Sequence, residues 1–401
     1  MTERAGLPQI DGLNVAGKRV LVRSDLNVPL DGGRITDDLR IRAALPTLEG
    51  LLGRSGRVAV CSHLGRPKGK VVEELRLAPV GERLQELLGT EVDVLDEVVG
   101  RKAQAACDGG APVVLLENLR FEPGEEGNDP GFADALAGLA DAYVNDAFGA
   151  AHRAHASIVG MPERLPSAAG LLLTEEVAKL ERVLHGAEHP FVAVLGGVKV
   201  SEKLSVIGNL LDRVDSMCVG GAMAFTLLKA GGRDVGRSMV EEDRIDEVGR
   251  VLKEAESRGV EILLPDDVVA AESPDEGAAH ETVPLDEIGD RMGVDIGPST
   301  ASRFEEEIAA ARTVLWNGPM GIFEIEAYAL GTKAVAEAIA RATGRGAYTV
   351  AGGGDSAAAL KQLDLTDGVS HLSTGGGASL ELLQGKELPG ISVLRNTRVE
   401  P

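Results

Sequence analysis

The sequence predicts an α/β protein with two doubly wound, parallel-sheet (Rossmann-like) domains joined by a connector helix and hinge. Three observations carry that expectation. Short apolar runs alternate with helical patterns along the whole chain, and most are continuous rather than strictly alternating. Strands covered on both faces read that way. The length of 401 residues exceeds what one core usually supports. After Pro162 and Pro166 the strand rhythm is interrupted by GLLLTEEVAKLERVLHG, which reads as one long helix ending near Gly186 and Pro190.

In the first half the strand candidates are RVLVRSDL from Arg19, RVAVCS from Arg57, VDVLDE from Val92, PVVLLEN from Pro112 and AYVNDAF from Ala142. The second half adds FVAVLGG from Phe191, SMCVGG from Ser216, EILLPDDVV from Glu261, RTVLWNG from Arg312, YTVAGGG from Tyr348 and GVSHLST from Gly368. Helical patterns lie between them, among them DDLRIRAALPTLEGLL from Asp37 and GTKAVAEAIARAT from Gly331. EEGND near Glu125 reads as a solvated loop. Repeated βα alternation places ligands at the C-terminal strand ends.

Composition narrows the partners. A net charge of −22, from 41 basic and 63 acidic residues, argues against nucleic acid or an anionic membrane as partner. A small anion stays possible where basic residues cluster in a cleft. Cys61, Cys107 and Cys218 are scattered and lack metal-ligand spacing, so they read as buried reduced thiols. MTERAGLPQI has no apolar signal core, and no run approaches the length of a membrane span. A cytoplasmic, soluble protein is expected.

Glycine turns carry most of the chemistry. Gly352-Gly353-Gly354-Asp355-Ser356 and Gly375-Gly376-Gly377 each stand where an apolar strand pattern becomes a helix. Such turns let backbone approach a ligand and aim free N–H groups at an anion, which suggests one polyphosphate site. Gly352, Gly354 and Ala357 also fit a loose dinucleotide pattern, but no acidic residue ends the next strand to hold a ribose. Asp355 fits a metal-bridged phosphate better. Gly12 to Lys18 imitates a P-loop, yet it precedes its strand and has Arg19 where Ser or Thr is needed. Lys199 and Lys203 follow another glycine turn, Gly196-Gly197, and i,i+4 spacing on a first helical turn would put both ammonium groups on one face. Gly220-Gly221 reads as a flat slot for a base. Glu324, after Trp316-Asn317-Gly318-Pro319, is either a ribose acceptor or a solvated side chain.

The first half differs. Arg23, Asp25 and Asn27 end its first strand, Arg40 lies on the next helix, and His63 and Arg66 follow the second strand. Arg120 and Arg153 lie beyond two later ones. Parallel strands align their C-terminal ends, so these cations read as a phosphate and carboxylate site. His152 and His155 are read as structural.

The chain resembles phosphoglycerate kinase over essentially its whole length. The resemblance rests on RSDLNVP (23–29), DDLRIRAALPT (37–47), HLGRPKG (63–69), LLENLRF (115–121), NDAFGAAHRAHAS (145–157), LGGVKVSEKL (195–204), VLWNGPMGIFE (314–324), AGGGDS (351–356) and STGGGASLELLQGK (373–386). It implies reversible phosphoryl transfer from 1,3-bisphosphoglycerate to ADP, giving 3-phosphoglycerate and ATP, by a cytoplasmic monomer with hinge closure. It implies a phosphoglycerate domain over 1–172 plus 388–401, a connector helix over 173–187 and a Mg-nucleotide domain over 188–387. Phosphoglycerate would lie against Asp25, Leu26, Asn27, Arg40, His63, Leu64, Gly65, Arg66, Arg120 and Arg153. Lys203, Gly293, Asn317, Glu324 and Gly352 to Ser356 match nucleotide positions, with Asp355 linked to Mg²⁺. Arg40, Lys199, Gly375 and Gly376 match the groups that stabilise the transferring phosphoryl.

Overall fold

A computed structural model describes residues 6–397. The chain divides into two compact units, one formed by residues up to Ala178 together with those from Glu387, the other by Lys179–Lys386.

The first unit is built on a six-stranded parallel sheet. From edge to edge its strands are Val92–Val94, Val113–Leu115, Val58–Cys61, Val20–Arg23, Ala142–Asn145 and Ser167–Ala169. Alternate residues enter opposite cores: Val20, Val22, Val58 and Val60 point into one cluster, while Leu21, Ala59 and Cys61 point into the other. Burial on both faces is why these runs lack polar alternation. Chain order reverses between Val20–Arg23 and Ala142–Asn145, and a crevice at that switch point is the usual ligand site of such sheets.

The second unit repeats the plan with strands Glu261–Leu263, Ser216–Val219, Phe191–Leu195, Thr313–Asn317, Tyr348–Ala351 and His371–Leu372, again all parallel. Its switch point lies between Phe191–Leu195 and Thr313–Asn317.

The helix Leu171–His185 starts with an unusual cap. Gly170 precedes it and has no side chain to offer, so two other elements supply the acceptors. Thr47 Oγ1 accepts from Leu171 N at 2.9 Å, and Asp146 Oδ1 accepts from Leu172 N and Leu173 N at 2.9 and 3.3 Å. A Cβ on Gly170 would stand 2.1 Å from Asp146 Oδ1, so only glycine fits here. At the chain's other end, Pro389–Asn396 forms a helix whose Gly390 N donates to Ala151 O at 2.9 Å, within the first unit.

Three local readings of the sequence need correction. EILLPDDVV is two strands, Glu261–Leu263 and Asp267–Ala271, because Pro265 removes a ladder donor between them. Asp267–Ala271 is the centre of a separate antiparallel sheet with His280–Pro284 and Met292–Ile296, neither of which the apolar pattern revealed. Ser167–Ala169 is a strand of three small residues, too short and weakly apolar to stand out beside Pro166. EEGND is no solvated loop: Pro123–Glu126 is a helical turn and the Glu125 side chain is buried.

Candidate active site

At the strand ends of the first unit, buried polar side chains brace one another. Arg23, ending the central strand, is fully buried. Its Nη2 lies 2.9 Å from His63 Nδ1, its Nε donates to Ser157 Oγ at 3.0 Å, and its Nη1 donates to Ser24 O. Asp25 Oδ2 accepts from Arg40 Nη1 at 2.6 Å, whereas its buried Oδ1 has no hydrogen-bond partner among the described residues. Arg120 Nη1 donates to Gly65 O at 2.6 Å, and its Nε stands 3.2 Å from Glu126. Asn27 Oδ1 fixes the same loop by accepting from Gly65 N at 2.9 Å. The amides of Leu26 and Leu64 are held by Ser62 Oγ and Asn118 Oδ1 at 2.9 and 3.1 Å. Arg66 is exposed and Arg153 half-buried.

The cations share one field. Burial first, then Arg23, Arg120, Arg40 and His155, hold the His63 ring well below the ordinary imidazole range. Burial first, then Arg120, Arg23 and Arg153, push His155 down to about 3. Both histidines are therefore neutral near pH 7. Burial also depresses the Arg120 guanidinium, opposed by Glu126 and reinforced by Arg153 and Arg23. Stacking this much positive charge in low dielectric is unfavourable unless an anion completes it.

The second unit presents two adjoining cavities. One, of about 530 Å³, is lined by Gly196, Gly197, Lys199, Lys203, Asn317, Gly353, Gly354, Asp355, Ser356 and Gly376. Lys199 is exposed; Lys203 is half-buried and donates to Asn317 Oδ1. Burial lowers the Lys203 ammonium, with Glu202 and Asp355 opposing. Asn317 Nδ2 in turn donates to Gly352 O at 2.7 Å, and Ser356 Oγ accepts from Gly318 N at 2.7 Å, so the loops at three strand ends are tied together. Gly375 is not among the lining residues, and its N–H faces Ser373 Oγ at 3.3 Å.

The other cavity, of about 340 Å³, is lined mostly by apolar groups, including Phe225, Met239, Val268, Pro319, Met320 and Ile322, with Glu324 and Asp355 at its polar side. Gly221 and Ala222 border it, whereas Gly220 is not among its lining residues. Gly293 is required by packing: a Cβ there would lie 2.0 Å from Phe225 Cζ. Gly197, Val198 and Asp355 line both cavities, so together they suit one elongated ligand with an apolar and an anionic end.

Contrary to the i,i+4 expectation, Lys199 and Lys203 do not share an α-helical turn; they flank the 3₁₀ turn Val200–Glu202, and Lys199 is extended at φ −111°, ψ 123°. They border the same cavity because the turn is short, not because of i,i+4 geometry. Sequence reasoning also missed the braces. Glu125 and Ser157 are 32 residues apart, Glu241 and Ser201 are 40 apart, and nothing local marks either pair. Asp295, buried beside the apolar cavity, accepts from Gly331 N at 2.7 Å and is pushed by burial to about 7.

A doubly wound unit with buried guanidiniums at its strand ends, joined to another with base-sized and phosphate-sized cavities, is the plan of a small-molecule kinase. Comparison with known proteins makes this particular. A family model described as phosphoglycerate kinase matches residues 10–386. The phosphoglycerate kinase of Thermomicrobium roseum is 55% identical over 385 residues, covering 95% of this chain and 97% of that protein. That of Rubrobacter xylanophilus is 56% identical over 384 residues, covering 95% and 96%. The structure of phosphoglycerate kinase from Coxiella burnetii superposes with a TM-score of 0.89 at 41% identity, covering 98% of this chain and 100% of the other. The chain belongs to the phosphoglycerate kinase family.

Proposed function

We propose that the chain catalyses reversible phosphoryl transfer between 1,3-bisphosphoglycerate and ADP, giving 3-phosphoglycerate and ATP. The observation that carries this reading is the shared wall of the two cavities in the second unit, where Asp355 and Gly197 border both the apolar slot and the lysine-edged one. A nucleotide base and its phosphates match those two halves. In the first unit, the unpartnered buried Asp25 Oδ1 is an acceptor suited to a substrate hydroxyl, ringed by the cations an acid phosphate needs.

In the forward direction a β-phosphate oxygen of ADP forms a bond to the transferring phosphorus. The bond from phosphorus to the C1 carboxyl oxygen breaks, and its electron pair stays on the carboxylate. No protein nucleophile and no proton transfer is required, so the enzyme contributes positioning and neutralisation. Arg40 and Lys199, with the Gly375 and Gly376 amides, are assigned to the moving phosphoryl. Lys203 and Asn317 orient the nucleotide phosphates, and Glu324 faces the ribose. Asp355 fits Mg²⁺, since one carboxylate with substrate phosphates and water is the ion's usual set. The bound ion would neutralise phosphate charge. Because donor and acceptor are assigned to different units, the hinge closure expected from the sequence belongs to this proposal, as do a monomeric state and a cytoplasmic location. Among the described residues no helix is long and apolar enough to cross a membrane.

A coupled assay with 3-phosphoglycerate, MgATP and NADH-linked detection tests the reading. Turnover is expected, and folded protein without turnover would overturn it.

A further inference from the structure

We propose that Arg23 is a positioning residue that locks His63 in its Nε2-protonated neutral form, so that the ring offers the phosphoglycerate one uncharged N–H donor. The inference rests on the reading of these strand ends as the phosphoglycerate site. Three observations support it.

The first is the direction of the bond between the two side chains. A guanidinium has five N–H donors, no acceptor, and does not lose its proton in proteins. Arg23 Nη2 lies 2.9 Å from His63 Nδ1 with both residues buried, so Nδ1 must accept. The ring proton is then on Nε2. A second proton at Nδ1 would point a donor at a donor.

The second is that Arg23 cannot turn away. Its Nε donates to Ser157 Oγ at 3.0 Å. Ser157 Oγ has one proton, and it goes to Glu125 Oε1 at 2.5 Å, while Ser157 N donates to Glu125 Oε2 at 2.9 Å. Each proton in the chain from Glu125 through Ser157 and Arg23 to His63 therefore has one assigned direction. Tyr143, buried in the adjacent strand, donates to Ser157 O at 2.5 Å and fixes the serine's backbone as well. None of these four side chains needs to touch substrate to set the ring's tautomer.

The third is the field. Arg23, Arg120, Arg40 and His155 are the groups that face the ring, and all disfavour its protonation, as does burial. Glu125, the nearby carboxylate, is directed at Ser157 instead, with His155 Nδ1 3.7 Å away. An imidazolium here would add charge to a site already rich in guanidinium. A locked neutral donor keeps substrate recognition constant across the physiological pH range.

Nitrogen-15 NMR of histidine-labelled full-length protein reads this directly, with His63 assigned by loss of its signals in His63→Gln. A bare Nδ1 and a protonated Nε2, unchanged from about pH 5.5 to 8, are expected. A proton on Nδ1, or an imidazolium growing in over that range, would overturn the proposal without any Arg23 variant having to fold. Kinetics separate positioning from mere structural support. In Arg23→Met the ring is free to take the other tautomer, so a protonated Nδ1 should appear in its nitrogen-15 spectrum and KM for 3-phosphoglycerate should rise about fivefold or more while KM for ATP stays flat. Arg23→Lys, which keeps a cationic donor, should restore the bare Nδ1 and most of the KM. A loss of activity with the tautomer unchanged would mean that Arg23 acts only through stability. Calorimetry with 3-phosphoglycerate distinguishes the underlying reading: wild type that shows the expected tautomer but binds no 3-phosphoglycerate would remove the substrate, not the lock.

Discussion

In the first unit Glu125 takes the N–H and the hydroxyl of Ser157 at 2.9 and 2.5 Å; in the second Glu241 takes the N–H and the hydroxyl of Ser201 at 3.0 and 2.5 Å. The two clamps are alike in geometry and opposite in electrostatics. Burial holds the Glu125 carboxyl above its ordinary range, although Arg23 and the Ser157 bonds oppose it. At part-exposed Glu241 burial acts in the same direction, but the Ser201 bonds, the Val200 amide and Arg244 outweigh it and the carboxyl falls below its ordinary range. Glu125 braces a buried, fixed set of side chains, which is what orienting a small, multiply charged substrate demands. Glu241 secures a short surface turn that carries Lys199 and Lys203, beside a cavity where glycine backbone and apolar walls supply the rest.

The largest effects should come from the charges assigned to the ligands' phosphates. Arg40→Ala should lower kcat on the order of 10²-fold or more while KM changes far less, because the proposed interaction develops with the transferring phosphoryl. Steady-state kinetics in both directions check it, and an unchanged kcat would remove Arg40 from that role. Lys203→Ala should weaken nucleotide binding about tenfold, the size expected for one charge-assisted contact in a half-exposed site. Calorimetry should show 3-phosphoglycerate binding retained. Loss of both ligands would indicate that the Lys203–Asn317–Gly352 tie holds the fold rather than the nucleotide.

The same contrast explains what was legible in the sequence. Glycine turns after apolar runs report strand ends locally, so Gly196-Gly197, Gly221 and Gly353-Gly354 are recognisable in the sequence as strand-end turns, and each borders a cavity. The parallel sheets were legible for the same reason, since burial on both faces leaves continuous apolar runs. The antiparallel sheet was not: in His280–Pro284 only Val283 is buried, so no apolar run marks the strand. The braces were hidden for a different reason. Arg23 reaches His63 across 40 residues and Ser157 across 134, and only the sheet order brings them together. Glu125, within an acidic stretch, has the local pattern of a solvated residue and the tertiary position of a buried one.

Substituting each clamp tests whether burial is the real difference between them. Glu125→Gln replaces one of the two oxygens that accept from Ser157 with an amide nitrogen, so a loss on the order of 1–3 kcal/mol is expected. A raised carboxyl pKa means that the folded state keeps its proton longer than the unfolded state does. Glu125's own contribution is therefore fully present below about pH 4.5 and fades as pH rises through its folded value. Relative to wild type, the variant should look worst in acid and improve as the pH is raised. Thermal melts across that range read the trend.

Glu241→Gln should behave the other way, and more weakly. Its carboxyl is depressed in the folded state, so its contribution is present above about pH 4.5 and is lost as pH falls through the folded value. Because the group is part-exposed, the loss at neutral pH should be about 1 kcal/mol. It should vanish in acid, where wild type and variant melt together. The kinetic consequence should be confined to the nucleotide: the loosened Val200–Glu202 turn moves Lys199 and Lys203, so KM for ATP should rise about two- to threefold while KM for 3-phosphoglycerate holds. Equal pH trends for the two glutamates would show that the matching geometry matters more than the depth at which each clamp is buried.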